Sequence, residues 1–132
     1  MHTLLLLMLL QRPVLVLHPE VHPGPLNRAR LAAIFLGKVR SWPDGQPIHP
    51  VELDSRFPEK RWFVEHILGW SLKQYRHYWL QEMMKGERRP AVVSSRDLLL
   101  TLVQSTPGSI AVVDDEELPD SLVSRLILLP FP

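Results

Sequence analysis

Leu31-Ala-Ala-Ile-Phe-Leu-Gly-Lys38, followed closely by Ser41-Trp-Pro-Asp-Gly45, spells a helix end and then a turn. Asn27 can cap a helix whose apolar positions are Leu31, Ile34 and Phe35, and Ala32 and Ala33 favour that conformation. Gly37 supplies the C-terminal stop. Pro43 takes the second position of the turn and Asp44-Gly45 completes it. Upstream, Pro13-Val-Leu-Val-Leu17 is a continuous apolar run ended by His18-Pro19, which reads as a buried strand. Three prolines and a glycine make His18–Pro25 a loop. Downstream, Ile48–Leu53 reads as a second strand starting around Pro50.

Asp54–Pro58 is a polar entry into a helix, with Pro58 tolerated in the first turn and Glu59 suited to its positive end. Phe63, Ile67 and Trp70, with Trp62 and His66 alongside, form its wide apolar face, and Gly69 ends it. Ser71 with Gln74 is a capping box for a new helix carrying Leu72, Tyr75, Trp79 and Met83, closed by Lys85-Gly86. Glu87–Ala91 reads as a loop. Ser94 with Asp97 caps a third helix of this group, with Leu98, Leu99, Leu102 and Val103 inward. Pro107-Gly108 is a turn, Ile110–Val113 a short strand, Asp114–Asp120 an acidic surface segment and Ser124–Leu129 a last strand. The order strand, helix, strand, three helices, strand, strand predicts an α/β lobe, expected as a mixed sheet flanked by helices.

The 132 residues support one domain with a real core. Fifteen Lys+Arg against fourteen Asp+Glu leave a formal charge of +1, so nucleic acid is not an expected partner. The absence of cysteine removes disulfides, thiol nucleophiles and Cys-based zinc sites. Leu4–Leu10 is an apolar run of seven, broken by Gln11-Arg12-Pro13; residues 1–12 are read as a weak or truncated signal segment before a domain over 13–132, the alternative being a buried first strand or helix with no targeting role, in a cytoplasmic protein.

His18 and His22 have a proline between them, and His66 and His77 fall on different helices, so no metal site is expected. There is no G-x-S-x-G, P-loop or G-x-G-x-x-G pattern, so neither an enzyme nor a cofactor is expected. The aromatics Trp62, Trp70, Tyr75, Tyr78 and Trp79 recur at helical spacing and read as core. One local feature carries chemistry. Asp54-Ser55-Arg56 follows a strand and precedes a helix, with Lys60 and Arg61 one turn on. Free N–H groups, a hydroxyl and cations there suit an oxyanion; the alternative is a plain helix cap with solvated cations.

Several strings carry a resemblance. Leu31–Lys38 with Ser41–Gly45 resembles the I-F-x-G-K…W-x-D-G signature of periplasmic phosphate-binding proteins of ABC transporters. Phe63–Gly69 is similar to that family's F-x-x-x-V-L-G helix. Tyr78-Trp79, Lys85-Gly86 and Pro90 resemble its Y-W…F-x-G…P-P segment, and Thr106–Val113 its x-P-G-A-I-G-Y-V string. The resemblance implies a single type II binding-protein lobe outside the cytoplasm, in the periplasm, with phosphate or a related oxyanion as ligand. It also implies an ABC transporter or sensor as protein partner, with a homodimer as a further expectation. The matching junction, Leu53–Pro58, keeps an Asp and a Ser without the family's Ser-Gly-Thr-Thr run. The resemblance thus points to Asp54 and Ser55, and with the cations already read from the residues the candidate oxyanion ligands are Asp54, Ser55, Arg56, Lys60 and Arg61. The alternative role is a ligand-free module of the same fold that docks on a membrane or sensor partner.

Overall fold

The computed structural model describes residues 12–123 and 125–132. Most of the expected signal segment therefore lies outside the described residues.

Five strands form one sheet: β1 (Pro13–Leu17), β2 (His49–Leu53), β3 (Ala91–Val93), β4 (Ser109–Asp114) and β5 (Ile127–Pro130), in the order β3-β2-β4-β1-β5. β2 runs parallel to both β3 and β4, and β1 runs antiparallel to β4 and β5. The expected mixed α/β lobe is thus the one observed. Alternation along the strands divides the core in two. Leu15, Leu17, Ile110 and Val112 face α1 (Arg28–Phe35) and α2 (Pro58–Phe63). Val16, Val51, Leu53, Ala111 and Val113 face α4 (Arg96–Ser105). A satellite cluster of Val64, Tyr75 and Trp79 seats α3 (Leu72–Met84). The last helix, α5 (Asp120–Val123), is short.

The opening stretch folds as its residues dictate. The Asn27 carboxamide accepts from the Arg30 N–H at 2.8 Å. Past α1, Gly37 takes φ 74°, and the Lys38 and Gly37 N–H groups donate to Ala33 and Ile34. That pattern closes the helix with a left-handed glycine. The Trp42–Gly45 turn then folds the fully buried Trp42 indole under the sheet, where it donates to the Gly108 carbonyl at 3.0 Å. The two strings flanking this bond, Ser41–Gly45 and Thr106–Val113, lie far apart in sequence and meet here.

Five expectations need correction. Ala91–Val93 is a strand, not the end of a loop; three residues on a sheet edge behind Arg-Arg-Pro carry too little alternation to be read. The cap of α4 is Ser95, which accepts from the Leu98 N–H at 3.2 Å; this register exposes Leu98 and buries Leu100 instead. A π-helical turn, Val64–Leu68, follows α2 and buries Val64 against α3, so Val64 joins the apolar face. Met83 is exposed, because nothing covers that side of α3 among the described residues. The last strand begins at Ile127, three residues later than expected.

Candidate functional site

The carboxyl ends of β2, β3 and β4 open side by side, and the loops leaving them bring together Asp54–Phe57, Ser94–Ser95 and the acidic segment after Asp114. From β2 the chain crosses to β3 on one side, and from β3 it returns past β2 to β4 on the other. Open α/β sheets hold ligands in the crevice at such a reversal.

Asp54 anchors the first loop. Its Oδ1 accepts from the Arg56 backbone N–H and Nε at 3.0 and 3.2 Å, and its Oδ2 from the second guanidinium nitrogen at 2.9 Å. The Arg56 bonds, with help from Ser94, hold the Asp54 carboxyl well below the usual carboxylate range. Arg56 is solvent-facing, with 72% of its side chain exposed. The Ser55 and Arg61 side chains are exposed and make no hydrogen bond among the described residues. The five expected residues therefore separate. Ser55, Arg56 and Arg61 are solvent-facing, and Asp54 orients Arg56. Lys60 turns inward, where it pairs with Glu52 and lies over the Tyr75 ring, 4.8 Å from its centroid.

Two charged groups outside the expected oxyanion set, Glu59 and Arg96, complete the arrangement. Glu59, 4% exposed, accepts a bidentate pair from Arg96 at 2.8 and 3.0 Å and a bond from the Asp114 N–H at 3.2 Å. Arg96 also stacks on Phe57, 5.0 Å from the ring centroid. Glu59 thereby ties the start of α2 to the start of α4 and the end of β4. The signal for it was a glutamate at the second position of a helix, which is too common a pattern to mark a buried anchor.

Burial alone would raise the Glu59 carboxyl, but the Arg96 bonds and the backbone N–H groups of Glu59 and Asp114 outweigh it, and the net shift is downward. A carboxylate depressed in the folded state stabilises fully above its unfolded value of about 4.5, and that contribution is lost as pH falls through the lower folded value. Urea midpoints measured from pH 7 to pH 3 are expected to hold steady and then drop below about pH 4.5. Glu59→Gln should start lower and fall less steeply; an unchanged acid limb would break the assignment.

No family model matches the chain, and no curated protein matches it. Solved structures do. PstS from Borrelia burgdorferi aligns with a TM-score of 0.71 at 18% identity, covering 92% of this chain and 47% of that one. An ABC-type phosphate transport receptor from Vibrio cholerae gives 0.69 at 15%, covering 92% and 46%. A Clostridium perfringens structure, described as a phosphate ABC transporter substrate-binding protein with bound phosphate, gives 0.67 at 16%, covering 92% and 44%. This chain spans under half the length of each. The architecture is that of a single lobe of these larger binding proteins.

Proposed function

We propose that the chain is a phosphate-binding lobe, a binding module and not an enzyme, which works outside the cytoplasm with ABC-type phosphate uptake. The observation that carries this reading is the junction after β2. There Ser55 and Arg56 follow the carboxyl end of β2, with Ser94 beside Asp54, in a fold shared with phosphate-binding proteins, and Arg61 lies one turn into α2. Arg56 presents a guanidinium oriented by Asp54, and the Ser55 hydroxyl and the Arg61 guanidinium supply further donors. Lys60 serves this site by fixing α2 to β2. A carboxylate kept ionised beside the anion favours an oxyanion that still carries a proton, which makes phosphate a better ligand than sulfate.

One lobe leaves its ligand partly hydrated, so each charge-assisted bond contributes less than in a closed cleft. Facing donors from a partner lobe would exclude that water. The test is an amide chemical-shift map during phosphate titration. The largest shifts are expected at residues 54–57 and 94–96, and Arg56→Ala or Ser55→Ala should weaken binding about three- to tenfold. Shifts elsewhere, or unchanged affinity in both variants, would place the ligand at a different site.

A further inference from the structure

The opposite end of the sheet carries a groove. At the amino ends of β2 and β3, a groove of about 520 Å³ opens between α1, α3 and the end of α4. Its floor is apolar, formed by Ile34, Ile48, Val51 and Leu102. Its lining includes three arginines, Arg40, Arg88 and Arg89. Arg40 is paired with Glu87, whereas Arg88 and Arg89 are exposed and have no ion pair among the described residues. Among the described residues, no carboxylate lines the groove.

We propose that this groove binds a small organic anion, an apolar body ending in a carboxylate, sulfonate or phosphate group. The volume lies within the range of small-molecule sites, which combine mostly apolar walls with a few placed polar groups. The charged residues of the lining are of one sign. A strongly hydrated ion such as inorganic phosphate gains nothing from the apolar floor, and a neutral hydrocarbon gains nothing from the arginines. An amphipathic anion uses both. The groove lies at the other end of the strands from Asp54–Arg61, so this proposal stands independently of the phosphate reading.

The test is a fluorescence titration with 8-anilinonaphthalene-1-sulfonate, compared with its uncharged analogue N-phenyl-1-naphthylamine. The sulfonate should bind saturably at one site and weaken about tenfold in the Arg88→Ala/Arg89→Ala double variant, the loss expected of two rim charges. The neutral probe should change less than twofold. Glu87→Ala, which releases Arg40, should tighten the sulfonate, and 10 mM inorganic phosphate should not displace it. Ala91→Trp, which fills the mouth, should block both probes, with near-ultraviolet dichroism confirming a native fold. Sulfonate binding that ignores the arginines would overturn the proposal. So would absence of saturable binding, or binding confined to a hexaglutamate peptide, which would indicate a peptide partner instead.

Discussion

Gly108→Ala is expected to destabilise the protein by about 4 kcal/mol, a large part of the ~5–15 kcal/mol that holds a domain folded. Gly108 sits at φ 83°, a region that costs an L-residue about 1–2 kcal/mol. A Cβ there would also stand 2.1 Å from the Pro47 carbonyl oxygen, a contact with backbone that no rotamer change relieves. The same glycine's carbonyl accepts from the buried Trp42 indole and from the His49 N–H, both at 3.0 Å. Any shift that makes room for the methyl therefore pulls on two bonds joining the Trp42 turn and β2 to β4. Gly45→Ala is the control. Its φ is 89°, but nothing lies within 4 Å of the added carbon, so only the conformational cost remains. Urea denaturation of the two variants should show a small loss for Gly45→Ala and a large one for Gly108→Ala. Equal losses would mean that backbone conformation, and not the close approach of Pro47, governs this turn.

Lys60→Met is expected to cost about 3–5 kcal/mol, although it exchanges a charge for an apolar side chain of similar length. Glu52 lies on the α2/α3 face of β2, where alternation requires an inward side chain, and it is 6% exposed. Lys60 neutralises one of its oxygens and the Tyr75 hydroxyl donates to the other. Tyr75 also contacts the Phe35 carbonyl at 3.3 Å. Burial first, and then the Glu52 charge, push the Tyr75 hydroxyl far above its ordinary range, so it stays a donor across the pH range of the folded protein. Removing Lys60 leaves a buried carboxylate with one neutral partner. Replacing both charges, in Glu52→Leu/Lys60→Met, removes the desolvation problem and should return stability to within about 1–2 kcal/mol of wild type. Equilibrium unfolding of the single and double variants decides the matter. A double variant as unstable as Lys60→Met would mean that the pair stabilises outright, beyond compensating its own burial.

The fold was legible where local chemistry is unambiguous. Asn27, Gly37, Gly69 and the Ser71–Gln74 box each mark a helix boundary through a bond or a φ value that few other residues provide. The edge strand Ala91–Val93 and the π turn at Val64–Leu68 were not legible, because each depends on what packs beside it. At the candidate site, the Asp54–Arg56 pairing follows from residues two apart and was within reach. The Glu59–Arg96 bond spans 37 positions, and the inward turn of Lys60 depends on a glutamate eight residues earlier whose burial only the sheet reveals. Neither partner can be chosen from spacing. Trp42 is intermediate: the turn that carries it was readable, and its acceptor 66 residues away was not.

The central claim is that this single lobe takes up phosphate at the carboxyl ends of its parallel strands. Isothermal calorimetry of the purified chain with phosphate, run beside sulfate at low and moderate salt, tests it most directly. Saturable heat with one site, weaker at higher salt and absent or much smaller with sulfate, is the predicted result. No heat at millimolar phosphate, or equal heat from both anions, would contradict it.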